Sequence, residues 1–388
     1  MRRSLLVLML WAGPALAQDT IPAPEDDKIP ARISYFPYLM GDANHGLLLI
    51  GRFQISRQAE YDARVANDWI LWAEAAWGNR GSRLFTVALR APLLVAGWRF
   101  AADLGAGREG RFGYFGEGEG GESGLDQDGH PKDFFRVHRT RFYGQAELSR
   151  QLGQGLYASA GAGLTRFRYR TVDVDGLFAT DYPDGLDGTD ATGRLTLVFD
   201  TRNNELLPAN GVLLEAGIHG GTGRFSECGT LCESRGYVGA YANFRGYVSP
   251  RRGLVLAGRA VFRVLSKEAP LDARYELPGW EHDVSVYGGF ESNRGLIRGR
   301  LVGRRLALAS ADVRYDLIDG GDYGALTLLA FLDAGKVAGG EPNPVFSTWK
   351  VGGGGGVAIR VLRYAILTLN FAAGPDGFNF TMGNGWAF

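Results

Sequence analysis

The sequence predicts an all-β fold, a transmembrane antiparallel β-barrel of about 16 strands. Glycine is unusually frequent, at 58 of 388 residues, and aromatic side chains make up 12% of the chain. Such a composition is typical of proteins with many strands joined by turns. Apolar and polar residues alternate along most of the chain, which is the side-chain period of a β-strand. After residue 17 no apolar run approaches the roughly 18 residues that a membrane-spanning helix needs.

Residues 1–17 have the layout of a secretory signal peptide. Two arginines precede an apolar run over residues 5–11, and the small-residue sequence Ala-Leu-Ala that follows matches a signal peptidase site. Residues 18–30 are rich in proline and acidic residues, and we interpret them as a short periplasmic linker. We therefore expect the mature chain to leave the cytoplasm, with residues 31–388 forming a single barrel domain.

The two faces of the alternating segments favour a membrane barrel over a soluble β-sandwich. In the segment 191–202, Leu195 and Leu197 lie on one face, whereas Arg194 and Asp200 lie on the other. Apolar faces along the chain carry small and aromatic residues, and polar faces carry charges of both signs, as expected for a barrel with a wet interior. Only a closed barrel satisfies strand backbones in lipid, so the exported chain is expected in the outer membrane of a Gram-negative bacterium.

The number and spacing of the alternating segments also fit a bacterial barrel, in which the strand number is even. With both termini on the periplasmic side, the long connections 114–133, 173–190, 223–234 and 266–303 lie outside, and most of the others are tight turns. Long outer loops and short inner turns are the usual arrangement in such barrels. The predicted strands are 31–40, 46–57, 69–77, 83–90, 98–113, 134–151, 155–172, 191–202, 211–222, 235–248, 253–265, 304–317, 324–335, 349–360, 363–373 and 378–388.

Charge and motif content argue against a nucleic-acid partner and against catalysis. The 42 basic and 42 acidic residues cancel, so global electrostatics predict no nucleic-acid binding. The chain has no G-x-S-x-G or H-E-x-x-H motif, and its five histidines are scattered, so we expect no enzymatic activity and no cofactor. The glycine run 352–356 lacks the Lys-Ser/Thr of a phosphate loop. We interpret it as part of a barrel strand in which glycines relieve crowding and permit sharp curvature.

Three short segments raise the question of covalent or metal links. Cys228 and Cys232 are the two cysteines of the chain, and in an exported protein they predict a local disulfide. Zinc is the alternative, but no histidine lies close to them in sequence. The acidic segments 126–133 and 173–190 could hold calcium, although neither has the full spacing of a calcium loop, and solvated outer loops are the simpler interpretation. We predict no metal site.

A basic run near the end of the longest connection has no acidic residue inside it. It contains Arg294, Arg298, Arg300, Arg304 and Arg305. Such a run can bind phosphate, face solvent, or be neutralised by carboxylates that are distant in sequence. The sequence of the run does not by itself separate these three interpretations.

The motifs resemble those of the BamA/TamA-like surface-antigen barrels of the outer membrane. The segment FDTRNNELLPANGVLLEA (199–216) resembles the family's strand–turn–strand signature, and GGFESNRGLIRGRLVG (288–303) resembles its long loop that folds inward between strands 11 and 12. FLDAG (331–335) matches the strand motif Phe-x-Asp-x-Gly. The last residues, through Trp386 and Phe388, resemble the family's signal for assembly into the membrane. The resemblance covers about residues 31–388.

The resemblance implies a latch inside the barrel. Arg294 and Gly295 match the arginine-glycine pair of the inward loop, and Asp333 matches the aspartate of the strand motif, so we expect an ion pair between Arg294 and Asp333. The alternative is that Arg294 lies in a solvated outer loop. Leu296 stands where the family usually has an aromatic residue, and Asn293 where it has an aliphatic one. The other four arginines are expected to line the lumen or rim, or to contact lipopolysaccharide phosphates.

The resemblance also implies a role in outer-membrane biogenesis, meaning insertion or translocation of protein or lipid through the lumen or a lateral seam between the first and last strands. The alternative is a passive channel or structural barrel. Expected partners are outer-membrane lipid and lipopolysaccharide, and the barrel-assembly machinery for the protein's own insertion. Family members that handle protein clients carry periplasmic POTRA domains, which residues 18–30 are too short to hold. We therefore expect either a separate periplasmic partner that supplies that function or a narrower task for this protein.

Overall fold

Sixteen antiparallel strands form one continuous sheet in the computed structural model, which confirms the predicted fold class. The predicted signal peptide and linker, and also Cys228 and Cys232, lie outside the described residues. The structure describes residues 30–388 except 43, 62, 118–128, 132, 227–233, 282–285, 339–348 and 362–364.

Each strand pairs with its neighbours in sequence, so the sheet runs from β1 to β16 without a crossover. Two short helices lie in connections of the described chain, α1 (Leu177–Asp181) and α2 (Leu271–Tyr275). The strands are β1 (Arg32–Asp42), β2 (Gly46–Gln58), β3 (Asn67–Gly78), β4 (Arg83–Val95), β5 (Trp98–Gly113), β6 (Arg136–Gly153), β7 (Leu156–Thr171), β8 (Leu186–Asp200), β9 (Gly211–Phe225), β10 (Arg235–Arg251), β11 (Leu254–Leu265), β12 (Arg305–Asp319), β13 (Gly324–Ala338), β14 (Lys350–Val361), β15 (Ala365–Gly374) and β16 (Gly377–Asn384).

The sixteen predicted strands correspond one to one to β1–β16, but several differ at their ends, and the largest differences are in β4, β8 and β16. β4 ends at Val95, five residues after the predicted 90. β8 begins at Leu186, five residues before the predicted 191, so the acidic segment 173–190 is only partly a loop. Strand alternation divides the polar residues of this part of β8 between its two faces. Asp190 faces the lumen, where it is 4% exposed and accepts a hydrogen bond from Tyr237, whereas Asp187 lies on the other face and pairs with Arg168 and Arg170. β16 ends at Asn384, four residues before the predicted end.

Burial separates an apolar outer face from a polar lumen. In β8, Leu195 and Leu197 are 58% and 57% exposed, whereas Thr196 and Asp200 are 3% and 0% exposed. The outer face thus presents aliphatic side chains as a lipid-facing barrel wall does, and the inner face is polar. None of the helices in the described residues is long and apolar enough to span a membrane.

The first and last strands lie beside each other, but no ladder pairs them among the described residues. They are joined by an apolar cluster that includes Tyr38 and Met40 of β1 and Met382 of β16. Tyr38 and Met40 are paired in register with Ile50 and Leu48 of β2, all buried on the lumen side. The first strand therefore contributes its inner face to this contact.

β16 contributes its other face to the same cluster. Asn379 points into the lumen, since its side-chain amide donates to the backbone of the loop inside the barrel. Phe380 and Met382 lie one and three residues further on, so strand alternation places them on the opposite face. Both belong to the cluster or pack against it. The second half of β16, which the sequence predicts to be periplasmic, therefore lies inside the wall, with its outer face against the inner face of β1 and β2.

Candidate functional site: a loop folded into the barrel

The connection between β11 and β12, residues 266–304, folds into the barrel, and we call it the lumen loop. It begins after Leu265 and ends before Arg305, and nearly all of its side chains from 286 to 303 are buried. Arg294 is 1% exposed. It therefore does not lie in a solvated outer loop, which is the alternative that the sequence leaves open.

A compact turn precedes and surrounds Arg294. Gly288 and Gly289 have φ angles of +99° and +85°, which residues other than glycine rarely adopt. The N–H of Gly289 donates to the carbonyl oxygens of Asn293 and Leu296 at 3.0 and 2.9 Å. The turn thus closes on itself and fixes the position from which the Arg294 side chain leaves the loop.

The loop backbone packs directly on the backbone of the barrel wall at Gly295. A Cβ atom at Gly295 would lie 2.6 Å from Gly352 Cα and 3.0 Å from the carbonyl oxygen of Ala373. Gly352 is the first residue of the glycine run 352–356, which lies in β14. The run leaves the inner face of this strand without side chains where the loop approaches, so its role here is to make room.

Arg294 forms a bidentate ion pair with Asp333 on β13. Its Nε donates to Asp333 Oδ2 at 2.7 Å and its Nη2 to Oδ1 at 2.9 Å, and its backbone N–H also donates to Oδ2 at 2.9 Å. The guanidinium lies 3.7 Å from the centre of the Phe331 ring, so Phe331 and Asp333 of the Phe-x-Asp-x-Gly motif both hold it. The structure thus brings together the two residues of the predicted latch.

A second carboxylate, Asp312 of β12, completes the site. Its Oδ1 accepts from Arg294 Nη2 at 2.6 Å, and its Oδ2 accepts from Arg314 Nη2 at 3.0 Å. Two buried carboxylates therefore face two arginines. Although burial disfavours the charge of Arg294, Asp333 and Asp312 outweigh this and raise its pKa above the ordinary value. Alternation along β12 places Asp312 on the polar face, but the sequence contains no signal that it reaches Arg294.

The two residues that depart from the family pattern have partners of their own. The side-chain amide of Asn293 donates to the carbonyl oxygen of Lys350 at 2.9 Å, and its Oδ1 accepts from the N–H of Gly295 at 3.1 Å. Leu296 is 0% exposed and packs in an apolar cluster with Leu277 and Tyr287 of the same loop and with Leu308 of β12. In this protein an aliphatic side chain therefore occupies the buried position at which the family usually has an aromatic residue.

The other predicted arginines divide into two groups. Arg298 and Arg300 are buried in the lumen, where Arg298 Nη1 donates to Glu109 Oε1 and Arg300 Nε donates to Asp376 Oδ1, both at 2.6 Å. Arg304 is half-buried and Arg305 is exposed at the start of β12. The first two thus hold the loop to β5 and to the β15–β16 turn, and the last two lie at the outer rim.

The first part of the lumen loop, which contains α2, is held to the wall by a separate polar cluster. Asp272 of α2 accepts from Arg139 Nη2 at 2.9 Å and from the Tyr169 hydroxyl at 2.6 Å, and its Oδ2 lies 3.1 Å from Arg141 Nε. Burial alone would raise the pKa of Asp272, but Arg141 and Arg139 hold it below the ordinary value. Sequence reasoning missed this cluster because Asp272 lies more than 100 residues from each of its partners.

The loop also reaches the periplasmic end of the barrel. Glu281 accepts from Arg99 Nε at 2.6 Å, and the two Nη atoms of Arg99 donate to Glu205 at 2.8 Å each. Arg99 is the second residue of β5, and Glu205 lies in the turn between β8 and β9. Trp280 stacks with the same guanidinium, 4.5 Å from it, and its indole N–H donates to Ser149 Oγ. One arginine therefore joins the lumen loop to a periplasmic turn.

Trp386 and Phe388 lie beyond the last strand and inside the lumen. Phe388 is 7% exposed and Phe378, at the start of β16, is 74% exposed, so the chain end does not continue the outward-facing side of the predicted strand 378–388. The physical reason is Gly385, whose φ of +92° ends the strand and turns the chain inward. The assembly role assigned to Trp386 and Phe388 stays a prediction.

The lumen beside the loop retains a cavity of about 120 Å³. It is lined by Asp190 and His219 of the wall and by Asp272 and Glu276 of the loop, among others. The loop therefore does not fill this part of the lumen completely.

A sixteen-stranded barrel with an apolar outer face and a loop ion-paired inside its lumen defines a plugged barrel of the outer membrane. The family described as Omp85 superfamily domain matches residues 85–386. The chain therefore belongs to the Omp85 superfamily and is a protein of the Gram-negative outer membrane. No curated protein sequence matches it.

Solved structures of the same fold include two outer-membrane proteins. The crystal structure of BamA from Haemophilus ducreyi lacking POTRA domains 1–3 has a TM-score of 0.55 and 13% identity, and the match covers 91% of this chain and 70% of that one. CdiB from Escherichia coli has a TM-score of 0.55 and 12% identity, with 93% of this chain and 63% of that one covered. This chain thus spans less than two thirds of the length of that CdiB. At these identities the likeness shows the fold alone.

Proposed function

We propose that the protein acts in outer-membrane biogenesis, by inserting or translocating protein or lipid through the lumen or through the seam between β1 and β16. The observation that carries the proposal is the seam itself. Within the described residues it is closed by apolar side chains, including Met40 and Met382, and not by a backbone ladder. Membership in the Omp85 superfamily supports the same role.

The seam is the least costly place to open this barrel in lipid. Parting two strands that share a ladder, such as β15 and β16 from Leu367 to Gly374, would leave backbone N–H and C=O groups unpaired in hydrocarbon, at several kcal/mol each. Parting apolar side chains in lipid costs far less, since acyl chains replace their contacts. The proposed role needs no catalytic step, and the lumen loop keeps the interior filled while the seam opens.

A cross-link across the seam tests the proposal. Met40→Cys and Met382→Cys, in a background with Cys228→Ser and Cys232→Ser, place thiols in the same cluster on the two sides of the seam. Joining them with a short bifunctional maleimide should abolish complementation of a depletion strain. The matched control joins cysteines at Leu49 and Trp77, which face each other across the β2–β3 ladder. Full activity with the seam locked would contradict lateral opening.

The alternative function is a passive channel, favoured by the charged cavity beside the lumen loop. Single-channel recording of the purified barrel separates the two functions. A plugged barrel should show small, intermittent conductance that grows when Asp333→Ala releases Arg294. Large, steady conductance that Asp333→Ala leaves unchanged would support the channel and contradict the plugged barrel.

The proposed partners follow from the two ends of the barrel. We propose that Arg304 and Arg305 at the outer rim contact lipopolysaccharide phosphates, because arginine binds phosphate through two parallel hydrogen bonds. Insertion of the protein itself is assigned to the barrel-assembly machinery. A periplasmic partner would meet the turn that contains Glu205, which is bonded to the lumen loop through Arg99.

A further inference from the structure

The residues that follow β16 form a short tail inside the lumen. After the turn at Gly385, the N–H of this glycine donates to the carbonyl oxygen of Ile366 at 3.0 Å, and its carbonyl oxygen accepts from Thr368 Oγ1 at 2.8 Å. Ala387 and Phe388 are 8% and 7% exposed. The tail is thus ordered and covered, although it belongs to no strand or helix.

Two buried arginines of the barrel wall hold the tail. Arg314 Nη2 donates to the main-chain oxygen of Phe388 at 3.0 Å, and its guanidinium lies 4.5 Å from the Trp386 ring and 5.4 Å from the Phe388 ring. Arg259 Nη1 donates to the carbonyl oxygen of Ala387 at 3.4 Å, with its guanidinium 4.8 Å from the Phe388 ring. Cation–π contacts strengthen when they are removed from water, as here.

Arg314 also connects the tail to the site around Arg294. Arg314 bonds Asp312 Oδ2, and the other oxygen of Asp312 accepts from Arg294, whose principal partner is Asp333. A chain of charge-assisted hydrogen bonds therefore runs from Asp333 to the main-chain oxygen of Phe388. Asp312 is its middle member, because it accepts from both arginines at once.

A second connection joins the lumen loop to the body of β16. The Asn379 side-chain amide donates to the carbonyl oxygens of Arg294 and Leu296 at 2.8 and 3.1 Å. Just before β16, Asp376 in the β15–β16 turn accepts a hydrogen bond from Arg300. The start of the last strand is thus fixed to the loop, and the tail attaches the chain to the lumen again past the end of the strand.

We propose that residues 385–388 are a lumenal tether that holds the second half of β16 inside the wall, and that Asp312 couples this tether to the Arg294–Asp333 pair. When the loop pair is broken, Asp312 and Arg314 lose their fixed positions and the tail is released more often. Arg259, Asp312 and Arg314 are positioning residues in this arrangement. The proposal concerns the resting barrel and does not depend on what the protein inserts or translocates.

The test measures how often the tail leaves its site. Ala387→Cys, in a background with Cys228→Ser and Cys232→Ser, gives a reporter thiol in the tail, and its rate of labelling by a soluble maleimide is followed in outer-membrane fragments. Labelling should be slow in this background. Arg314→Leu removes the hydrogen bond to Phe388 and both ring contacts, and should speed labelling by roughly tenfold or more. Arg314→Lys should lie between the two, since lysine keeps the charge but not the planar stack.

The coupling is tested with a change that touches no tail residue. Asp333→Asn breaks the loop pair on the far side of Asp312, and should also speed labelling of the Ala387→Cys reporter. Arg252→Gln is the matched control, because Arg252 is 92% exposed and pairs with Asp319 at the periplasmic end of β12. It should leave the rate unchanged. A second reporter, Ser249→Cys at the exposed end of β10, should be labelled at one rate in every variant.

Two results would overturn the proposal. Unchanged reporter labelling in a heat-modifiable, folded Arg314→Leu barrel would show that the arginine does not hold the tail. Faster labelling in Arg314→Leu with no change in Asp333→Asn would show that tail and loop are independent. If Arg314→Leu fails to fold, Arg259→Gln replaces it, since Arg259 contacts the tail from β11, and the same two results decide.

Discussion

Arg294 is a buried cation whose charge is met by Asp333 and Asp312, at heavy-atom distances of 2.6 to 2.9 Å. The arrangement does not by itself make the barrel more stable than an apolar packing would, since desolvation offsets most of the attraction. Its effect is positional, because removal of one partner leaves a buried charge. The loop is therefore fixed in one place in the lumen.

Replacement of Asp333 should reveal the free-energy cost of leaving Arg294 buried without its main partner. We expect Asp333→Ala to lower the free energy of unfolding by about 3 kcal/mol, at the lower end of the range for a broken buried pair because Asp312 remains. Urea titration of the barrel in detergent measures it. Asp319→Ala, which removes an exposed partner of Arg252, is the control and should cost less than about 1 kcal/mol. Equal effects of the two changes would contradict the role of burial.

Gly295 is constrained by contact between two backbones. Gly295→Ala would place a Cβ 2.6 Å from Gly352 Cα, and neither backbone can move aside as a flexible side chain would. We expect the lumen loop to be displaced and to become sensitive to added protease. Gly51→Ala, where a Cβ meets nothing within 4 Å, should leave protection intact. Protection that survives Gly295→Ala would show that the loop is less closely packed.

Asp272 gives the loop a dependence on pH. Its pKa in the folded barrel is held below the ordinary value by Arg141 and Arg139 against the effect of burial. Its contribution is therefore complete above the unfolded value of about 4 and is lost as pH falls through the folded value. The difference in unfolding free energy between wild type and Asp272→Asn should be constant from pH 8 to 5 and shrink below about pH 4. A difference that grows on acidification would contradict this sign.

At the scale of single elements, the alternation of apolar and polar residues identifies which segments are strands. It does not determine the residues at which those strands begin and end. Alternation is sufficient for the interior of β8, where Leu195 and Leu197 face outward. It is insufficient at Leu186, because the polar residues that follow resemble a loop, and the sequence does not show that the buried Asp190 meets Tyr237 in the lumen. It is likewise insufficient after Asn384, where the pattern of aromatic residues continues but Gly385 ends the strand.

Phe388 is expected to act at two stages. Its removal should impair assembly into the membrane, as the terminal signal predicts, and would also remove a ring that contacts Arg259 and Arg314 in the folded barrel. Heat-modifiable mobility on gels measures assembly. Normal folding of the variant without Phe388 would contradict the assembly role. Arg314→Leu leaves the terminal signal intact and therefore separates the second role from the first.

At the scale of the whole molecule, the sequence supports the barrel, its strand number and the side on which the long connections lie. It supports the Arg294–Asp333 pair through family motifs. It does not predict Asp312 or Asp272, because neighbours across a lumen depend on how deep a loop inserts and on the stagger of every strand in between. Neither quantity is encoded in a window of ten or twenty residues.

The proposed biogenesis role has a consequence for the whole membrane. Depletion of the protein should lower the amount of other barrels or of a lipid class in the outer membrane, measured by quantitative proteomics and lipid analysis. Restoration by the wild-type gene and not by the seam-locked variant would assign the effect to lateral opening. Unchanged levels of all other barrels and lipids would count against the role.

The contact of Arg99 with both Glu205 and Glu281 has a mechanical consequence. The lumen loop leaves the wall at the outer rim and is bonded near the inner rim, so one covalent segment spans the thickness of the barrel. A displacement of the β8–β9 turn on the periplasmic side would pull on Glu281, and through the loop on residues at the outer surface. Arg99 thus connects the β8–β9 turn to a loop that other ion pairs, including Arg294–Asp333 and Arg298–Glu109, hold to the wall.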